Sequence, residues 1–282
     1  MQLPPDAPAA ATIRAHWPRK SARMTASGTL GDTVTTGLRP SYSILVAATD
    51  DDIRAAQRLR FQVFATELGA QLPTSVPGLD IDEFDPFCDH LIVRENYTGE
   101  IVGTYRMLPP HRAAAAGALY SAGEFDLARL APLRDVLVET GRSCVHPDHR
   151  SGAVINLMWT GIARYLHLHG HRWLVGCASV PLADDGFAVN AVWEIARTKH
   201  LAPPALRVTP RRPYPIGTPT TTNRAQLLAA VPPLLRGYLR LGAWVCGEPA
   251  HDPAFAVADF LVLLSLDRID PRYLRHFLGE TS

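Results

Sequence analysis

Residues 136–180 read as strand, loop, helix and strand without a break, and this run limits what the chain can fold into more than any other stretch. VLVETGRSCV (136–145) has the apolar, β-branched content of a strand. Residues 147–151 form the following loop. Residues 153–169 then carry Ile155, Met158, Trp159, Ile162 and Leu166 on a long apolar face. Gly170 stops this helix, and RWLVGCASV (172–180) is a further strand. Strands and an amphipathic helix in close succession bury their apolar surfaces by packing helix on sheet, which places the chain among α/β proteins.

The flanks extend the same architecture. YSILVA (42–47) predicts a strand, and Asp50 predicts the cap of a helix over residues 51–68. Residues 72–86 are a Pro/Gly/Asp loop. Residues 88–95 and 100–108 form a hairpin turned at 96–99. Residues 109–135 read as an irregular connection with a short helical piece around 125–130. A helix at 185–199, a Pro-rich crossing at 203–219, a helix at 232–241, strands at 243–246 and 259–266, and a helix at 271–278 complete the chain. No internal repeat interrupts this order. Residues 1–40, rich in Pro, Ala, Thr and Gly, read as a flexible tail, with Met24 as an alternative start. The expectation is one domain over 41–282, with a core at 41–200 and a C-terminal extension at 201–282.

Charge narrows the function. The 282 residues carry 28 Lys+Arg against 27 Asp+Glu, which argues against a nucleic-acid-binding domain. Only Lys20 and Lys199 are lysines, so 26 cations are arginines. Codon composition explains such a bias, as does bidentate recognition of anions. Residues 51–150 hold 10 cations and 15 anions, with Asp80, Asp82, Glu83, Asp85 and Asp89 close together. Phe84 and Asp85 stand where an EF-hand needs other residues, so this is no calcium loop. The four cysteines, Cys88, Cys144, Cys177 and Cys246, lack zinc-ligand spacing and predict buried, reduced thiols in a cytoplasmic protein. No apolar run approaches the roughly 20 residues that span a bilayer, and the N-terminus has no signal-peptide core. His167, His169 and His171 read as a solvated helix end, not a metal site.

The loop HPDHRSGA (146–153) enters a helix. Helix N-termini expose unpaired N–H groups and a positive dipole end, so Arg150, Ser151, Gly152 and Ala153 are candidates for holding a phosphate. An ordinary N-cap at Ser151 is the competing reading.

Several separate segments, in order, resemble the GCN5-related N-acyltransferase superfamily. They are RLRFQVFATELG (58–69), LDIDEFDPFCDHLIV (79–93), GEIVGTYRMLP (99–109), YSAGEFDL (120–127), VETGRSCVHPDHR (138–150) and LVGCASV (174–180). Within the superfamily, these and LLRGYLRLGAWVCGEPAHDPAFAVADFLVLL (234–264) resemble the bacterial ornithine N-acyltransferases of ornithine lipid synthesis. A more distant similarity runs to acyl-homoserine-lactone synthases. The resemblance implies a mixed, mostly antiparallel sheet flanked by helices, with a C-terminal helix/strand extension. It also implies direct transfer of a (3-hydroxy)fatty acyl group from an acyl carrier protein thioester to the α-amino group of ornithine. Acyl-CoA is the alternative donor, and no bound cofactor or metal is implied. The superfamily phosphate loop is degenerate here, which favours carrier-borne phosphopantetheine, held by Cys144, Val145, Arg150, Ser151, Gly152 and Ala153.

An amine attacks only when neutral, so a base must take its proton. Glu139 is the sole carboxylate in an apolar strand, where burial raises a carboxyl pKa. A salt bridge from Glu139 to Arg142 or Arg106 is the alternative. Ser143 is a candidate to assist the departing thiolate, or a hydroxyl bonded to backbone. A backbone N–H around residues 143–145 is the candidate oxyanion donor. Cys144 reads as structural. Arg60, Phe64, Asp82, Asp85, Arg106, Glu139 and Arg142 match recurring residues of the lactone synthases in order. On that resemblance Asp82 and Asp85 order a substrate-entry loop or bind the cationic acceptor, and Arg106 holds its carboxylate. Arg60 and Arg142 either join them or neutralise the acidic residues.

The expected partners are acyl carrier protein and a small amino acid, with possible peripheral contact at the inner face of the membrane. Arg236, Arg240, Arg268, Arg272 and Arg275 would dock the acidic carrier or anionic headgroups, or serve solubility. The competing functions are an N-acyl amino acid synthase with another acceptor, an autoinducer-type synthase, and a catalytically silent, haemolysin-like acyl-binding protein.

Overall fold

The computed structural model describes residues 41–218, 221 and 223–278, so the expected tail at 1–40 lies outside the described residues. The elements are β1 (Tyr42–Val46), α1 (Asp50–Phe61), β2 (Asp89–Glu95), β3 (Ile101–Leu108), α2 (Pro110–Ala116), β4 (Phe125–Asp126) and β5 (Leu137–Val145). They continue as α3 (Gly152–Leu168), β6 (Trp173–Pro181), α4 (Phe187–Ile195), β7 (Thr209–Pro210), α5 (Arg224–Ala230) and α6 (Pro233–Arg240). The chain ends in β8 (Trp244–Val245), β9 (Ala250–Asp252), β10 (Val257–Ser265) and α7 (Pro271–Leu278).

The main sheet runs β1-β2-β3-β5-β6-β10-β8, with β9 on β10, while β4 and β7 pair separately. Every adjacent pair in it is antiparallel except β5–β6. The expected mixed, mostly antiparallel sheet is therefore the observed one, and the extension contributes strands to it. β10 is buried along its whole length. Its continuous apolar run suits a strand covered on both faces. Ala258, Phe260, Val262 and Leu264 join the core under α3, α4, α6 and α7. Leu261 and Leu263 join a second core on the opposite face, closed by Phe125, Ala202 and Val208. A third core packs Ala56, Leu59 and Val63, the last just beyond α1, against Ile92, Ile101 and Cys144.

Two irregularities shape the centre. β5 and β6 pair only from Leu137–Trp173 to Glu139–Val175, although each strand runs on. At the point of separation Gly176 admits the backbone of Thr140: a Cβ there would lie 2.3 Å from the Thr140 carbonyl oxygen. On its other side β5 bulges. Gly141 faces Arg106 and Cys144 faces Thr104, so Arg142 and Ser143 together face Tyr105. Arg142 accommodates the bulge with φ of 51°, an uncommon conformation for a side chain of this size.

Local expectations needed correction at several points, by neighbouring residues at some and by a distant segment at Phe125–Asp126. Thr49, not Asp50, caps α1: its hydroxyl accepts from Asp52 N at 3.1 Å, leaving Asp50–Asp52 in the first turn beside the positive helix end. The expected helix over 51–68 has a π-helical end, Gln62–Glu67, with Leu68 N bonded to Val63 O at 3.0 Å. The connection at 109–135 contains α2, begun by Pro110 and ended by Gly117 at φ of 83°. Phe125 and Asp126 are extended, because they pair with Pro210 and Thr209 of a distant segment. α5 and β9 were not expected. Gly170 does end α3, at φ of 67°. The four cysteines are free, and all but Cys177 are buried. Among the described residues no helix is long and apolar enough to cross a membrane.

Candidate active site

Three arginines and three aspartates close into a buried network on the α1 side of the sheet. Arg60 Nε donates to Asp80 Oδ2 at 2.9 Å and Nη2 donates to Asp85 Oδ2 at 2.6 Å and to the Asp80 carbonyl. Arg106 Nη1 donates to Asp82 Oδ1 at 2.5 Å and Asp85 Oδ1 at 2.9 Å. Arg142 approaches Asp80 and Asp82 at 3.2 and 3.3 Å, but its Nε has no hydrogen-bond partner. Asp82 Oδ1 also accepts from the backbone of Phe84 and Asp85. The loop from Asp80 to Phe87 is thus pinned by side chains of α1, β3 and β5. Burial alone would raise the Asp85 carboxyl, but the guanidiniums of Arg60 and Arg106 hold it down at about 2. The six charges balance, which answers how they can be buried at all.

Beside this network a cavity of about 270 Å³ opens where β5 and β6 separate. It reaches through the sheet, because its lining comes from both faces. Tyr105, Ala178, Leu234 and Tyr238 line it on the α6 side, where the two tyrosine hydroxyls bond each other. Glu139, Cys177, Asp252 and Asp259 line it on the opposite side. Arg106 and Ser143 also line it. Aromatic rings frame that side. Phe64 meets Phe255 edge-on at 5.9 Å, Phe84 meets Tyr120 at 5.8 Å, and Arg142 lies between Tyr120 and Phe255 with its guanidinium carbon 5.0 and 4.9 Å from the two ring centres.

Glu139 pairs with no arginine among the described residues. Its carboxylate instead accepts from Tyr120 N at 2.6 Å, Ser121 N at 2.8 Å and Ser121 Oγ at 2.5 Å. The turn Tyr120–Gly123 therefore holds the group rigidly at the cavity wall. Burial raises its pKa, against the opposing pull of the Ser121 hydroxyl, the two N–H groups and Arg106. A carboxylate offers about four lone-pair sites. Three are engaged, and the fourth is open to a proton.

The proposed donor loop lies apart from this cluster. Ser151 takes the N-cap position of α3 with an extended backbone, and its side chain makes no capping bond. A Cβ on Gly152 would meet nothing within 4 Å. Ser151 and Gly152 are exposed and Ala153 half-buried. Arg150 is bridged bidentately to Glu67 at 2.7 and 2.6 Å and also donates to Val145 O at 3.2 Å. Val145 packs against the main core, and Cys144 points into the α1 core. Burial pushes the Cys144 thiol up to about 12, so it is no nucleophile at neutral pH. The rings of His169 and His171 stack beside Tyr165.

The sequence reading passed over two cavity residues, Asp252 and Asp259. The signal was available: Asp259 is the sole carboxylate in the apolar strand VADFLVLLS, the same pattern that singled out Glu139. Tyr238 was missed because it comes from a helix 133 residues from its partner Tyr105.

A mixed sheet opened between its one parallel pair, with a cavity through the opening and a carboxylate held in its wall, defines an acyltransferase of the GNAT type. Residues 59–160 match the family model for an acetyltransferase (GNAT) domain. The chain is 34% identical over 273 residues to an L-ornithine N(alpha)-acyltransferase of Brucella abortus (strain 2308), covering 89% of this chain and 94% of the relative. It is 37% identical over 243 residues to one of Rhodobacter capsulatus, covering 83% and 93%. The chain belongs to the L-ornithine N(alpha)-acyltransferase family. Its fold is also similar to that of a CoA-dependent acyl-homoserine lactone synthase, BjaI, with MTA, at a TM-score of 0.49 and 15% identity, covering 83% of this chain and 84% of that one.

Proposed function

We propose that this acyltransferase moves a fatty or 3-hydroxy fatty acyl group from an acyl carrier protein thioester to the α-amino group of ornithine, giving lyso-ornithine lipid. The observation that carries the reading is Glu139, a buried carboxylate of raised pKa held by Ser121 in the wall of a cavity that passes through the sheet. The limb beside Tyr105 and Tyr238 takes the thioester arm, and the limb beside Glu139 takes the amine.

Glu139 accepts the proton released as the amine attacks, directly or through a water. The C–N bond forms, the C–S bond breaks, and the departing thiolate takes a proton relayed through the Ser143 hydroxyl at the cavity wall, which recovers one from water. A backbone N–H at residues 143–145, set by the bulge in β5, donates to the oxyanion. Asp82 and Asp85 are already paired with Arg106, and they order the entry loop. Arg60 neutralises them from below, and Phe64 frames the mouth. Arg106 and Arg142 both line the cavity, and Arg142, held between the Tyr120 and Phe255 rings with longer contacts to the aspartates than Arg106 makes, is the better suited to the acceptor's carboxylate.

A carrier-borne donor is favoured by the poverty of the loop before α3. Its one arginine, Arg150, is already bridged to Glu67. That leaves little to balance the several phosphate charges of CoA, whereas carrier-borne phosphopantetheine brings a single phosphodiester. The exposed cations Arg240 and Arg275 suit an acidic carrier or an anionic membrane surface. Expression in a host lacking the enzyme tests the whole reading: lyso-ornithine lipid should accumulate. Accumulation of another N-acyl amino acid, or of none, would contradict it.

A further inference from the structure

The cavity has an acidic end that the chemistry above does not use. Asp259 is 2% exposed and lines the cavity, and its Oδ1 has no hydrogen-bond partner. A buried carboxylate oxygen left without a donor is costly and uncommon in a folded protein. Asp252, also buried, stands on the same wall. In the β9–β10 register Asp252 faces Val257 and Asp259 faces Ala250, so the two carboxylates are diagonal neighbours. Asp252 Oδ1 accepts from the backbone of Ala254 and Phe255, which fixes it in place. Half-buried Glu124 adds to the same field. Burial pushes the Asp259 carboxyl up to about 7; the Ser179 hydroxyl beside it works the other way, and Asp252 and Glu124 add to the rise. Arg142 pulls the Asp259 carboxyl down from a distance and Arg212 does the same for Glu124, but among the described residues no arginine or lysine is ion-paired with Asp259 or Asp252, so an ammonium from outside would find both carboxylates unbridged.

The sheet fixes how far this end lies from Glu139. Glu139 faces Val175 of β6, and Asp259 faces Ser179 of the same strand. The two Cα positions are therefore offset by four residues along β6, about 13 Å, and by two strand spacings, roughly 10 Å, across it, and the carboxylates come closer than this only as the Glu139 and Asp259 side chains lean toward each other. Cys177 stands between them, and both charges act on it. A diamino acid of ornithine's length, with its nitrogens about 6 Å apart and a hydrogen bond of roughly 2.8 Å at each end, spans the two carboxylates only when it lies extended between them.

Resting on the reading of the cavity as an amine-acceptor site, we propose that Asp259, supported by Asp252, is the seat for the distal ammonium of a diamino acid acceptor and is the residue that selects such acceptors over monoamino acids. A site built to pair a buried charge rejects an analogue that lacks its partner, because the charge is then left uncompensated.

Kinetics with ornithine and with norvaline, which lacks only the distal amine, test this. Wild-type enzyme should prefer ornithine by roughly 100-fold or more in kcat/KM, and in Asp259→Asn most of that preference should disappear through a raised ornithine KM. The wild-type comparison requires no folded variant, and Asp259→Ser supplies a second one. Equal use of the two acceptors by wild type, or an undiminished preference in either folded variant, would overturn the assignment of Asp259 while leaving ornithine acylation standing. Failure of wild type to acylate ornithine at all would instead sink the reading beneath it, and the assignment with it.

Discussion

Ser121 holds Glu139 twice, through its backbone N–H at 2.8 Å and its hydroxyl at 2.5 Å, both on the same carboxylate oxygen. A base held this way loses no time to rotamer search, and its pKa is a balance of burial against hydrogen bonding. Removing the hydroxyl shifts the balance one way. Ser121→Ala should raise the Glu139 pKa further and move the acid limb of the kcat/KM profile to higher pH. Glu139→Gln should lower kcat by about 10²–10⁴-fold while acyl-thioester binding persists. A limb that stays in place in Ser121→Ala would detach Glu139 from the proton transfer.

The arginine–aspartate network makes a prediction about folding. Arg60 is fully buried between Asp80 and Asp85. Arg60→Ala should cost about 3–5 kcal/mol, because it strands buried carboxylates. The Asp85 carboxyl lies at about 2 when folded, below its ordinary 3.8. Its stabilising contribution is therefore complete above the ordinary value and is lost as pH falls through about 2. Acid titration of unfolding in wild type and Asp85→Asn checks the sign: the gap between them should narrow as pH drops.

Part of this candidate site was legible in the residues, some of it from local pattern and some from resemblance. Glu139 stood out because a carboxylate in VLVETGRSCV breaks an apolar run. Asp82, Asp85, Arg60, Arg106 and Arg142 stood out as ordered motif positions, but their pairing did not, because it joins α1, β3 and β5 across the fold. Ser121 lay inside the resembling segment YSAGEFDL (120–127), but nothing local marked it out, because it becomes important only through a contact 18 residues away. The strand at Phe125 was read as helix for the same reason, since β7 alone makes it extended. Asp259 carried the same local signal as Glu139 and was passed over among the resembling residues of the tail.

Gly176 allows the sheet to open. A Cβ at this position would meet the Thr140 carbonyl oxygen at 2.3 Å, a backbone atom that cannot swing aside. Gly176→Ala should destabilise the protein by about 1–3 kcal/mol and lower kcat/KM by displacing β5 against β6. Thermal melting and steady-state kinetics together check this; normal values of both would show that the separation does not depend on close approach here.

Asp259 predicts a trade between stability and function. Its carboxyl is raised to about 7 in the folded protein, mainly by burial. A raised acid favours the protonated fold, so ionisation costs stability as pH climbs from the ordinary value through about 7. Without acceptor, Asp259→Asn should therefore raise the melting temperature at pH 8 and change it little at pH 4. Added ornithine should stabilise wild type more than the variant. The opposite pH dependence would remove Asp259 from the buried, uncompensated state described above.

The central claim is acyl transfer from a thioester to one particular nitrogen. The direct measurement incubates purified protein with ornithine and matched acyl thioesters, one on acyl carrier protein and one on CoA, and locates the acyl group by fragmentation mass spectrometry. The account predicts a singly acylated ornithine, modified on the α-nitrogen, formed faster from the carrier-borne donor. Acylation of the distal nitrogen, or no acylated ornithine from either donor, would contradict it.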